Sequence, residues 1–531
     1  MMTRCGRLLS IMILLLGVMG CTAVSSPTPT PTTTPAPPTE RPLPTVSATA
    51  TPLLESTAAA SPTPSPVPPP TVPSTPTPSF ILPPDAADLP ITNIILSSQD
   101  QLAYIWDETL YVETAPGSEE FEVFGRAAIA AAWSPDGSQL AYSIERAPSA
   151  ELDDANQVYD LRLWSPSELT DVSLCDIITD FPVPAPQVNE LYWTPDGSKI
   201  LAHTSFTQEE SEEHNYIYDG ELTLVDLNLK TWKGSQLVSS RQQVVWLTDE
   251  IYIVRSHCGS PCADISGYDY FANLIWEPYW TTGGFVDFAP QGNFMINVGR
   301  IDTNLTDGVP TEPYLPTLDK IDLTTGDIEV VWGLPTREDY FTPFIMPSIS
   351  PDEKFFSFNF GGGLDSPGTL YVVNQDGSEL GRYENSFLMD WRQNGDFIFN
   401  TILETGDSQL QLASPDGSLH PVFTATQGLK IAGGVMTPSS GGRWSLDGHF
   451  FVFILKDPVH RRSQIHLWSP GDADLQLIHY IGRDSEFQSP VWLSDSTGFY
   501  FTSGKSSVRH EAVWFYDIES KELKLIAPKT N

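Results

Sequence analysis

Cys258 and Cys262 enclose Gly259-Ser260-Pro261, a spacing that closes a small disulfide ring in an oxidising compartment. A zinc reading with the adjacent His257 lacks the second ligand pair that a tetrahedral site needs. Cys175 has no partner at such spacing and reads as a small buried residue. The stretch Asp302-Thr303-Asn304-Leu305-Thr306-Asp307-Gly308 offers oxygens at a calcium-loop spacing. Its glycine comes one place late and no glutamate stands at the twelfth position, so a plain turn is the simpler expectation and calcium the one cofactor admitted. Trp276 and Trp280 flank Glu277-Pro278-Tyr279 and would serve either as stacking faces for a sugar ring or as core. Gly-x-Ser-x-Gly, a phosphate-cradling Gly-x4-Gly-Lys and His-Glu-x2-His are all absent from the sequence. The nine histidines are scattered. No residue stands out as catalytic, and no metal site is expected.

The elements that would position these groups repeat. Trp133-Ser134-Pro135-Asp136-Gly137-Ser138-Gln139-Leu140-Ala141-Tyr142 returns as Trp193-Thr194-Pro195-Asp196-Gly197-Ser198-Lys199-Ile200-Leu201-Ala202. Degenerate copies of the mark start at Phe288, Ile349, Trp391, Trp444 and Trp492, and weaker ones at Trp246 and Leu96. Proline presets φ at the second turn position, and Asp and Gly suit those that follow. An apolar residue ends one strand before the turn, and an alternating run such as Gln139–Ile144 begins the next. A third strand and a further turn, as at Asp376-Gly377-Ser378 and Asp416-Gly417-Ser418, complete each unit. Four antiparallel strands per unit, repeated without a helix, give an all-β chain forming a single β-propeller. Nine marks are present. Eight blades is the favoured count and seven to nine the range, with one mark absorbed into an irregular blade.

The Trp-Ser-Pro-Asp-Gly turn and the strand after it resemble the TolB-type propeller repeat, a relative of WD-type repeats, over nearly all of 91–531. The resemblance implies the fold. It implies no single function, because the scaffold hosts binding modules, envelope proteins and carbohydrate-active lyases or glycosidases alike.

With strands a to d counted outward from the channel, the Asp-Gly turns lie on one face. The b–c connections lie on the other, where Glu145–Tyr159, Thr207–Tyr218, Ser256–Tyr270 and Arg300–Pro316 read as long loops. Length gathered on one rim marks a binding face. These loops carry Asp153, Asp154, Glu209, Glu210, Asp264, Asp302 and Asp307, against Arg461, Arg462 and His510 in the last two units. The polarity suits a partner or cation chosen by charge. Solvated loops of an acidic protein would look the same. With 67 Asp+Glu against 28 Lys+Arg and a net charge of −39, nucleic acid is excluded as a partner, for want of a basic footprint.

The N-terminus supplies an address. Arg4 and Arg7 precede the apolar run Leu8–Val18, and Val18-Met19-Gly20-Cys21 follows. This resembles the lipobox of bacterial lipoproteins, which implies cleavage after residue 20 and lipid on Cys21. Met19 stands where that family prefers a small residue. Residues 21–90 are rich in Pro, Thr and Ser, as in Ser61-Pro62-Thr63-Pro64-Ser65-Pro66. They favour extended polyproline II and cannot bury a core, so a disordered stalk is expected. The whole reads as an extracytoplasmic, monomeric lipoprotein held to a bacterial membrane through Cys21, at the cell surface or in the periplasm. Its 91–531 propeller would bind a protein, glycan or cation. A carbohydrate-active propeller enzyme and a TolB-like envelope-structural protein are the rivals.

Overall fold

In the computed structural model the described residues run from Ile91 to Ala527, apart from short stretches, chiefly in connections between strands. All regular elements among them are β-strands, paired antiparallel. Four-stranded units follow one another over residues 91–124, 128–178, 187–236, 242–282, 286–333, 348–384, 386–425, 442–481 and 491–527, here numbered in chain order. The hydrogen-bonded sheets number eight among the described residues. Two of these join neighbouring units edge to edge, and one is the small hairpin Leu305–Thr306 with Val309–Pro310. Counted by four-stranded units the repeat therefore occurs nine times, once for each sequence mark.

The ladder of each unit follows from its alternation. In the seventh, Phe397–Ile402 sends Phe397 and Phe399 to the sixth unit and Ile398 to the eighth. Each seam between units is filled in this way. Leu140, Tyr142 and Trp164 pack on Val112 and Leu110 of the first unit, while Ala141 and Leu161 meet Trp193 and Ile200 of the third. Tyr104 and Leu102 meet Tyr500, Val513 and Phe515, so the ninth unit packs on the first and the ring closes. Burial of both faces of every blade is the main source of stability.

The mark turns show why a hydroxyl follows the aromatic residue. Ser134 Oγ donates to Asp136 Oδ1 at 2.6 Å and accepts from Gln139 N at 3.0 Å, while Asp136 Oδ1 accepts from Ser138 N at 3.0 Å. Gly137 takes the left-handed φ of 69°. The same box recurs at Thr194–Asp196–Lys199, Ser350–Asp352–Phe355 and Ser445–Asp447–Phe450. The side chains replace strand pairing where the chain reverses.

Two of the expected loops are largely strand, and a third holds a short hairpin. In the third unit, Lys199–Glu210 and His214–Asp226 pair down to Glu210↔His214, so Thr207–Tyr218 is a β-ribbon. In the fourth, Ile251–Gly259 and Cys262–Asp269 pair down to Gly259↔Cys262. In the fifth, Leu305–Thr306 pairs with Val309–Pro310 between the second and third strands. These stretches lack apolar alternation, and the ladder continues there because a facing strand is present to pair with them. By contrast the first unit turns at Asp107 and Glu108, both at positive φ, and the seventh at Gly406.

Candidate functional site

Ribbons on three consecutive units share the b–c end of the ring, and this end is the candidate site. Glu209 and Glu210 stand at the tip of the third unit's ribbon, and Asp264 lies on the fourth unit's third strand. The backbone brings Cys258 and Cys262 to the tip of that second ribbon. The side chains of these residues, and of Trp280 and His510 on their strands, lie outside the described residues, as do Cys21, Asp153, Asp154, Asp302 and Asp307 altogether.

Trp276 is placed, and it is core. It is buried, its Nε1 donates to the Leu323 carbonyl at 3.1 Å, and Gly267 and Gly326 press against its ring. A ring held on both sides and at its polar edge is not offered to a sugar, so of the two readings the structure takes packing.

The basic residues of the eighth unit are tied down locally. Asp457, buried in the b–c turn, accepts from His460 N at 3.0 Å, from His460 Nδ1 at 2.7 Å and from Arg462 Nη2 at 3.1 Å. Arg461 is exposed at positive φ beside them. His460 and Arg462 therefore close a turn around one carboxylate, which reduces the contrast between an acidic and a basic arc.

Sequence reasoning passed over the residues on the innermost strands. Asp287 and Asp390 each stand immediately before the mark residue of their units. Asp287 Oδ2 accepts from Ile349 N of the next unit at 2.7 Å, and Asp390 Oδ2 accepts from Trp444 N of the next unit at 2.7 Å. Burial pushes each carboxyl up to about 6, against the opposing pull of those backbone donors. Raised carboxyls on a channel wall suggest acid–base chemistry. Here both have oxygens committed to the neighbouring blade, which makes them pins between blades. Two mark tryptophans do the same in reverse: Trp193 Nε1 donates to Ala132 O at 3.0 Å and Trp492 Nε1 to Arg443 O at 3.3 Å. The signal in the sequence was the residue before each mark, legible only once the units were aligned.

The third unit departs from this pattern. On its inner strand Gln187–Trp193, Glu190 Oε2 accepts from the Tyr192 hydroxyl and lies 3.2 Å from His203 Nδ1 on the second strand. Hydrogen bonding from His203 and Tyr192 holds the Glu190 carboxyl below its usual range, and burial and Glu190 raise the Tyr192 phenol. The His203 side chain is 9% exposed and that of Glu190 is 37% exposed. An ionised carboxylate is thus fixed in direction and open to solvent, three residues inward from the foot of the ribbon. Groups of three or more metal-ligating side chains are absent among the described residues.

No family model matches the chain, and no curated protein does. Solved structures similar to it include a eukaryotic initiation factor, 12% identical over 74% of this chain and 88% of that one, with a TM-score of 0.44. The C-terminal WD40 domain of Sif2 is 14% identical, covering 72% and 94%, with a TM-score of 0.41. TolB from Acinetobacter baumannii is 17% identical, covering 56% and 63%, with a TM-score of 0.26. The propeller assignment rests on the strands and their register.

Proposed function

We propose that this chain is a surface-anchored bacterial lipoprotein whose propeller is a binding module, engaging a protein or glycan with its b–c face. The observation that carries the reading is the set of β-ribbons raised from the third, fourth and fifth units at one end of the ring, where the first and seventh units have tight turns. In the third unit the ladder runs on past Gln187↔Ser205, where the inner strand's pairing ends, so the extension is available for contact with a partner. The apolar run before Cys21 and the proline-rich stretch after it support a lipid anchor and a spacer holding the module off the membrane.

The test is a binding screen of envelope proteins and glycans against a soluble Cys21→Ser form, beside a variant in which residues 206–218 are replaced by a two-residue turn. Binding that the shortened variant loses supports the module; binding that it keeps in full places the contact elsewhere. Specific turnover of a polysaccharide would replace this reading with the enzymatic one. The lipid anchor has its own check. Radiolabelled palmitate should enter the natural chain and fail to enter Cys21→Ser, and equal labelling of both would refute it.

A further inference from the structure

The repeat makes one departure conspicuous. Three residues before the mark, the inner strands of the second and seventh units carry Ala130 and Leu388, whereas the third carries Glu190. Its register partner on the second strand is His203, where the second and seventh units have Ser143 and Phe399. Where the second and seventh units have small or apolar groups, the third has a carboxylate, an imidazole and, at Tyr192, a phenol.

Their arrangement has one chemical consequence. Tyr192 and His203 both address Oε2 of Glu190. Two donors on one oxygen restrain a carboxylate that is 37% exposed. An anion held rigid by its neighbours loses little entropy when a cation arrives, which is what a receptor for a positive group requires. The depth also matters. Glu190 lies three residues from Gln187, where the inner strand begins at the b–c end, or about 10 Å at strand rise. Only a long side chain reaches such a group from the face, and the long cationic side chains are Lys and Arg. The chain as a whole carries a charge of −39, and the ribbon above Glu190 ends in Glu209 and Glu210. Both would draw a cationic partner and turn away an acidic one.

We infer that the b–c face docks a basic polypeptide and that Glu190, oriented by Tyr192 and His203, receives one of its Lys or Arg side chains. The inference rests on the binding reading above and names its partner class. The chain's own proline-rich segment is a poor occupant, because Arg41 is its one basic residue.

The experiment uses the full chain as Cys21→Ser and measures anisotropy of a labelled twelve-residue (Gly-Arg)6 peptide, with (Gly-Glu)6 and a neutral oligosaccharide as competitors. The cationic peptide should bind and weaken with added salt, and neither competitor should displace it. Glu190→Gln should weaken binding tenfold or more, and Tyr192→Phe several-fold, with melting temperatures unchanged. Asp416→Asn, which removes the same charge from an exposed turn at the other end of the ring, should leave the affinity as it was. Equal losses in Glu190→Gln and Asp416→Asn would reduce the effect to general charge and overturn the anchor. Displacement by the oligosaccharide would overturn the partner class. If the ribbon-shortened variant loses a partner from the screen while Glu190→Gln retains it, the anchor fails and the binding face stands.

Discussion

Asp287 and Asp390 show how one repeat position acquires a charge without acquiring a reaction. Each is enclosed at a seam, and each would be cheaper to keep protonated, which is why burial pushes both to about 6 from 3.8. A carboxyl with a raised folded value binds its proton more tightly in the folded chain than in the unfolded one. Between those two values stability therefore falls as pH rises, and the cost is fully present above about 6. Asp390→Asn keeps an oxygen for Trp444 N and loses the charge. It should be more stable than the natural chain near pH 7.5 by on the order of 1–3 kcal/mol, with the difference gone by about pH 4. Urea unfolding at the two pH values measures this, and an equal difference at both would contradict it. The turn aspartates run the other way. The Thr194 hydroxyl, with Ser198 and Lys199 beside it, holds Asp196 down to about 2, so its contribution is present above the ordinary carboxyl value and is lost as pH falls toward 2.

At the scale of the element, turns and strands are constrained by what lies beside them. Gly377 has φ 78°, and a Cβ there would sit 1.9 Å from the Val331 carbonyl oxygen of the preceding unit. Gly417 occupies the same turn of the next unit at φ 86°, with nothing within 4 Å. Gly417→Ala should cost about 1 kcal/mol for its backbone conformation, whereas Gly377→Ala must also move a backbone and should cost several times as much. Thermal melts of the pair separate the two terms. Asn400 lies on the face that meets the eighth unit, between Phe387 and Leu410, with neither side-chain polar atom partnered. Asn400→Leu should be neutral or stabilising, by up to about 2 kcal/mol, because an unpaired buried amide costs more than an aliphatic group of similar volume. A loss of stability would show that the amide is hydrogen-bonded in solution.

The whole ring depends on one seam that joins chain segments almost four hundred residues apart. Tyr500 donates to the buried Glu113 carboxylate at 2.6 Å, and Asp100 takes Ser494 N at 2.7 Å and Ser494 Oγ at 2.6 Å. The edge pairing there is the single position Ile91↔His510, so closure leans on these side chains and on the apolar contacts of Tyr104 with Tyr500 and Phe515. Tyr500→Phe deprives a buried carboxylate of a donor and should lower stability by roughly 1–3 kcal/mol. Hydrogen exchange should speed up in the first and ninth units and little elsewhere, since the other seams are untouched. Acceleration spread evenly round the ring would mean that closure is not the weak point.

The mark Trp-Ser-Pro-Asp-Gly was enough to place strands, turns and blades, because a turn that needs a preset φ, a carboxylate and a left-handed residue restricts residue types within a few positions. Even the poor marks at Leu96 and Trp246 each open a unit of their own, and the acidity and the cysteine spacing were equally plain in one dimension. What strings of residues could not show was which groups meet across seams. Thr207–Tyr218 has the composition of a loop and pairs as a ribbon because the neighbouring strand is there to receive its backbone donors. Trp276 became core through Gly326, fifty residues later. Glu190 became a fixed anion because strand register set His203 beside it. Local chemistry decides backbone conformation over a few residues, whereas burial, pairing and protonation depend on distances that only the closed ring defines.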